Sequence, residues 1–170
     1  MIYLLDANIL IDANNKYYPI GDVPEFWEWL QYQGEAGVVK IPAEIWDEIR
    51  GNKKDPLRDW MAHTEVEDAL VLDEDVDSAL LNQVVSAGYA SDLNDYELEQ
   101  VGRDPFLVAY AMVDHSRCVV TAETSAPKRT RQNRKLPDVC STLGVLYLDP
   151  WAFNKVLGFK TAWRKDIASK

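Results

Sequence analysis

The sequence predicts an α/β fold on a central, mainly parallel sheet. Three apolar runs, Ile2–Leu5, residues 118–122 and residues 145–148, lack the alternation of a half-wet strand and suit strands buried on both faces. Helical segments separate them, and strands divided by helices pair in parallel through right-handed crossovers. Ligands of such sheets meet the carboxyl ends of the strands. Two of the runs end directly in an acid, Asp6 and Glu123.

Taken in order, Ile2–Leu5 passes through Asp6 into a helix start over residues 8–13, which fades at Asn14-Asn15 and is finished by Pro19. Asp22 and Pro24 open a second helix, with Phe26, Trp27 and Leu30 as its apolar face and Gly34 and Gly37 at its end. Residues 38–41 read as a short strand. Pro42 starts the helix Ala43–Arg50, stopped by Gly51. In it Ile45 and Ile49 continue a core-facing row from Ile41, and Glu44 and Glu48 form the next row. Asp55-Pro56 opens a helix through Trp60, and residues 66–72 read as a short strand or a connection.

Residues 75–90 have the pattern of a helix that faces Val76, Ala79, Leu80, Val84 and Val85 inward and ends at Gly88. The acidic residues 91–102 read as a loosely periodic helix. Asp104-Pro105 begins a helix through Val113, apolar on nearly every side and therefore buried. After the run 118–122 comes a basic loop over residues 124–136. Pro137 to Cys140 starts a short helix closed by Gly144, and Asp149-Pro150 opens a last helix over residues 151–157. No repeat or linker divides the chain, so one domain is expected over residues 1–158, with a polar, loosely held tail at 159–170.

Composition narrows the function. No run approaches the roughly 18–20 apolar residues of a membrane span. The N-terminus lacks the basic, apolar and small-residue regions of a secretory signal, so a cytoplasmic location is expected. Cys118 and Cys140 lack metal-ligand spacing and read as buried free thiols. Glycine-rich phosphate loops and a GxSxG elbow are absent. A net charge of −10 argues against coating nucleic acid with the whole surface. Five basic residues nevertheless fall within eight positions, Lys128, Arg129, Arg131, Arg134 and Lys135, leaving 13 basic against 28 acidic residues elsewhere. That is a local electrostatic handle.

What remains in abundance is carboxylate. Asp6 and Glu123 end strands, Asp104 heads the most apolar helix, and Glu48 lies one turn beyond Glu44. Each has a plain structural reading. Asp6 suits a cap as well as a site, and Asp104-Pro105 repeats the capping pattern of Asp55-Pro56 and Asp149-Pro150. Glu44, Asp47 and Glu48 suit a solvated helix face. If the four acids converge at the sheet edge, they cannot all stay ionised without a cation. Hard divalent ions take such oxygen ligands.

In this order the residues resemble the PIN domain family of metal-dependent ribonucleases. Leu4 to Leu10, with Asp6 and Asn8, resembles the family's opening motif. Glu48 matches its helical glutamate, and Asp104 the acid that opens the central helix. Val120-Thr121-Ala122-Glu123 resembles a strand ending in Thr-x-Asp, with Glu for Asp. The Thr-x-Glu ending and the segment Pro137 to Cys140 are similar to one prokaryotic branch.

The resemblance implies a three-layer α/β/α sandwich, Mg²⁺ or Mn²⁺ as cofactor, and endonucleolytic hydrolysis of RNA phosphodiesters. It implies Asp6, Glu48, Asp104 and Glu123 as catalytic metal ligands, Asp138 as a further acid of the cluster, and Asn8 orienting Asp6 or a bound water. Many bacterial members are VapC-type toxins, so a cognate antitoxin and a homodimer are expected partners. The basic loop is expected to hold RNA through Lys128, Arg129, Arg131, Arg134 and Lys135. The alternative is a non-catalytic PIN-like interaction or regulatory module. A haloacid dehalogenase reading fails because that family needs a second Asp where Asn8 stands.

Overall fold

In the computed structural model, which describes residues 1–51 and 55–168, the first apolar run becomes the middle strand of the sheet. β1 (Ile2–Leu5) passes through Asp6 into α1 (Ala7–Asp12), which widens into a π-helical turn over Ala13–Tyr17. α2 (Pro24–Glu35) starts on its proline and leads to β2 (Val39–Pro42) and α3 (Ala43–Arg50). α4 (Pro56–Met61) and α5 (Thr64–Leu70) precede β3 (Val71–Leu72). α6 (Ser78–Gln83) continues as a second π-helical turn over Val84–Tyr89. α7 (Asp95–Val101) and α8 (Asp104–Met112) then lead to β4 (Arg117–Val120). Beyond the basic loop lie α9 (Leu136–Leu143), β5 (Leu146–Leu148), α10 (Pro150–Val156) and α11 (Trp163–Ala168).

All strands are parallel, in the order β3-β2-β1-β4-β5. The chain winds outward from β1 to β3, then crosses over and winds outward through β4 to β5. Right-handed crossovers put the helices of the two halves on opposite faces, giving the α/β/α sandwich. α2 packs on β2 and α5, while α8 packs on β4, β1 and β2. The winding reverses between β1 and β4, and the crevice at such a reversal is where open sheets bind ligands. There Tyr3 pairs with Cys118 and Leu5 with Val120, so Asp6 and Thr121 leave the sheet side by side.

The core explains the apolar runs. Leu4, Leu5, Val119 and Val120 have no exposed surface, and Leu107 and Val108 of α8 are covered as fully. Cys118 and Cys140 are buried free thiols, as expected, and burial pushes both above the ordinary thiol range. Among the described residues no helix is long and apolar enough to cross a membrane.

Four expectations about elements change. Residues 66–72 are a helix followed by a two-residue strand: Val66, Ala69 and Leu70 are buried at helical spacing. The helix expected over 75–90 begins only at Ser78, where the Asp77 carboxylate accepts from the N–H groups of Ala79 and Leu80. Gly88 lies within the π-helical turn, where a Cβ would stand 2.8 Å from Val139 Cγ1, so it permits packing on α9.

The tail is the third correction. Far from being loosely held, Phe159 packs edge-on to Phe26 at 5.2 Å, and Trp163 is buried with its indole N–H donating to Glu25 O at 3.0 Å. Two aromatics anchor a polar segment, a pattern that average polarity conceals. Ser169 and Lys170 lie outside the described residues.

The fourth change concerns Gly34, which is inside α2; Gly37, in the left-handed region at φ 70°, follows the helix end. A Cβ at Gly34 would stand 2.7 Å from both Ala69 O and Leu70 Cδ2 of α5. The backbone oxygen cannot rotate away. Gly34→Ala is therefore expected to cost about 1–3 kcal/mol by overpacking, more than the ~1 kcal/mol gained in helix propensity. Urea unfolding checks the sign; a stabilised variant would mean that α2 and α5 separate freely.

Candidate functional site

At the carboxyl edges of β1 and β4, Asp6 N–H donates to Val120 O at 2.9 Å, fixing the two chain exits together. The Asp6 side chain is buried, and its Oδ2 accepts from the Thr121 hydroxyl at 2.9 Å. Thr121 Oγ1 in turn accepts the Glu123 N–H at 3.1 Å. Thr121 is thus the side chain that orients Asp6. Its place inside the Thr-x-Glu segment was the available signal, but attention to acids passes over a hydroxyl. Asn8 acts through its backbone N–H, which favours the Asp6 carboxylate, while its side chain is exposed. Burial, more than any other cause, pushes the Asp6 carboxyl up to about 6; the charges of Glu123 and Glu48 add to this, and Thr121 and Asn8 oppose it.

Asp104 differs from the other two Asp-Pro pairs. Asp55 accepts from Arg58 N–H at 3.0 Å and Asp149 from Ala152 N–H at 2.7 Å, both as helix caps. Asp104 is instead the first residue of α8, with Arg103 at the cap position. Its part-buried carboxyl finds no hydrogen-bond partner among the described residues. Burial pushes it up to about 8, reinforced by the charges of Asp6, Glu123 and Glu48 and eased by Lys135. A carboxylate without donors beside three others is costly to keep ionised. The structure therefore brings Asp6, Asp104, Glu123 and Glu48 into one electrostatic cluster. Glu48 is its exposed member, on α3. Glu44 turns elsewhere, accepting from the Tyr110 hydroxyl at 3.4 Å.

The oxygens of Glu123 are already engaged. Oε1 meets Lys135 Nζ at 2.5 Å, and Oε2 accepts from Leu136 N–H at 2.8 Å, at the start of α9. Asp138 does not join the acids. Its carboxylate accepts from the Ser125 hydroxyl at 2.5 Å and from Ala126 N–H at 2.8 Å, pinning the start of the basic loop to α9. Partial burial pushes Asp138 up, but these donors and Arg134 together hold it below the ordinary range.

The basic loop is largely turned inward, which changes its expected role. Arg131 forms a forked pair with Glu97 at 2.7 and 2.8 Å and also reaches Asp92 at 2.7 Å. It does so from a left-handed backbone, φ 55°, a strain of about 1–2 kcal/mol that these contacts offset. The Arg131 fork, with the Asn94 N–H, holds the Glu97 carboxyl down at about 2. Arg134 donates to Gly88 O, to Asp138 O at 3.0 Å and to Thr142 Oγ1 at 2.7 Å. With Lys135 on Glu123, three of the five expected RNA contacts serve the fold. The side chains of Lys128 and Arg129 are exposed and have no partner among the described residues.

The donor set suits a hard divalent ion: carboxylate oxygens only, with two carboxyls that carry charge poorly as they stand. Among the described residues no group of three or more Asp, Glu, His or Cys side chains is arranged to hold a metal ion. The fit is thus one of donor chemistry and charge, with Lys135 the cation in place. The family described as Domain of unknown function (DUF4411) matches residues 3–161, and no curated protein matches the chain.

Proposed function

We propose that this chain, which belongs to the DUF4411 family, is a metal-dependent endoribonuclease of the PIN-like kind. The observation that carries the reading is Asp104, a part-buried carboxyl without a donor, pushed up to about 8 beside Asp6, Glu48 and Glu123. The helix-capping acids Asp55, Asp77 and Asp149 each accept from backbone N–H groups; Asp104 has only other acids and Lys135 for company. Asp6, Asp104 and Glu48 would hold Mg²⁺ or Mn²⁺, which when bound supplies charge neutralisation and Lewis acidity toward a phosphodiester. Thr121 locks the Asp6 carboxylate in position. Lys135, held by Glu123, adds a fixed positive charge beside the acids, and Lys128 and Arg129 are the basic residues left to meet the RNA backbone. A cytoplasmic toxin acting with a cognate antitoxin, and assembling as a homodimer, is the setting the PIN resemblance suggests.

The test is incubation of mixed single-stranded and structured RNA with Mn²⁺ or with chelator, using wild type and Asp6→Asn. The expected result is cleavage that needs the metal and is lost in the variant. Metal-dependent cleavage that survives Asp6→Asn removes the assigned site. A second reading, a non-catalytic interaction module, is favoured by two observations: the acids are not gathered in a metal-ready group, and Lys135 engages Glu123. Absence of both cleavage and Mn²⁺ binding by calorimetry would select it.

A further inference from the structure

A cavity of about 320 Å³ opens beside the acidic cluster, sharing Glu123 with it and lined also by Asn8. Its size is at the small-ligand end of the range for binding pockets. Two aromatics stand in its lining in an edge-to-face pair, Tyr17 and Trp151, with ring centroids 5.0 Å apart. They are 45% and 57% exposed, and Trp151 is the only exposed tryptophan among the described residues. Exposed aromatics of this size cost solvation unless something flat covers them. Deeper in, Tyr18 stacks on Phe26 at 4.3 Å, and the Asn154 amide donates to the Tyr18 hydroxyl at 3.3 Å.

The polar lining selects what can enter. Asp12, Asp149 and Glu123 make the cavity anionic, so a phosphate is disfavoured there and a neutral ring bearing N–H donors is favoured. Asp149 is committed to capping α10, and Glu123 to Lys135 and Leu136. Asp12 is held only by Lys16, one turn along, at 2.8 Å in a pair with side chains 25% and 56% exposed. Such surface pairs are worth little and yield readily to another donor.

We infer that this cavity is a nucleobase pocket: Trp151 stacks on one unpaired base of a single-stranded RNA, Tyr17 braces Trp151 edge to face, and Asp12 reads the donor edge of the base. Guanine fits best. Its N1–H and exocyclic N2 amine lie on one edge and can both donate to a single carboxylate. Adenine and cytosine offer only an amine beside a ring acceptor. Uracil offers one N–H flanked by carbonyls that a carboxylate repels. The inference rests on the ribonuclease reading for its substrate class and supplies a base preference next to the cleavage site. Base–aromatic stacking is how single strands are held without a duplex.

Tryptophan quenching by the four nucleoside monophosphates, in chelator so that no cleavage occurs, tests the pocket. Guanosine monophosphate is expected to quench saturably and to bind at least about 10-fold more tightly than uridine monophosphate. Trp151→Ala should abolish the signal. Tyr17→Ala should keep the reporter and weaken binding about 10-fold. Asp12→Asn should preserve quenching and erase the guanine preference. Absence of saturable quenching, or an equal response to all four nucleotides that Asp12→Asn leaves unchanged, overturns the inference. Guanosine binding without RNA cleavage in Mn²⁺ would remove the nuclease reading and leave the pocket. Cleavage without nucleotide binding would remove only the pocket.

Discussion

Asp104→Asn is expected to depress RNA cleavage and, in the same molecule, to raise the melting temperature of the metal-free protein at pH 8. The two effects have one origin. Burial and three neighbouring acids hold the Asp104 carboxyl up at about 8, against an ordinary 3.8, and Asp6 follows at about 6. For an acid raised in the folded state, the native form holds its proton more tightly than the unfolded form does. The stability it contributes is fully present below about pH 4 and is lost as pH rises through about 6 and then about 8. The metal-free wild type should therefore weaken steadily across that window. Asparagine cannot ionise, so the variant should escape the larger, Asp104 share of that loss, with a gain on the order of 3–5 kcal/mol above pH 8. For a chain of this length that is roughly 6–15 °C in melting temperature. Mn²⁺ should stabilise the wild type at pH 8, by about 2.7 kcal/mol at 100 times its dissociation constant, and leave the variant unmoved. Cleavage should fall on the order of 10²–10³-fold, the scale of a lost electrostatic contact in the transition state. Calorimetry from pH 4 to 9, with and without Mn²⁺, decides it. A variant as pH-sensitive as the wild type would mean that Asp104 is not the strained group.

The α/β class and the main strands were legible because they rest on local runs. Tyr3 to Leu5 and Cys118 to Val120 are apolar without interruption, and α8 between them is apolar all round. Short or mixed elements were not: β3 is two residues long, and the anchoring power of Trp163 cannot be seen without Glu25 beside it. The candidate acids were legible by type and position, but not the difference between them. Asp55, Asp104 and Asp149 share one dipeptide, and only tertiary surroundings separate two caps from an acid without donors. The charge of the basic loop was legible, but its intramolecular contacts were not. Its charge reads as an offer to nucleic acid, but the acids that claim Arg131, Asp92 and Glu97, lie 39 and 34 residues earlier. The acidic stretch 73–102 contains the surface on which that loop docks.

Glu123→Ala is expected to cost about 2–3 kcal/mol, because it removes two charge-assisted contacts at once. The carboxylate spans from the end of β4 to Lys135 and to the first N–H of α9. This reach needs a glutamate: a side chain one methylene shorter would have to move the loop to bridge to the α9 N-terminus. Glu123→Asp should thus lose most of the same stability, whereas Glu123→Gln keeps an oxygen for Leu136 N–H and should lose only about 1 kcal/mol. Denaturant unfolding of the three variants gives the order, alanine and aspartate well below glutamine. Activity then separates the roles of the two ends of the span. If Glu123 serves by fixing Lys135 beside Asp104, Lys135→Met should depress cleavage as far as Glu123→Gln does. A residue that instead ligates directly would lose cleavage in Glu123→Gln while Lys135→Met left it intact.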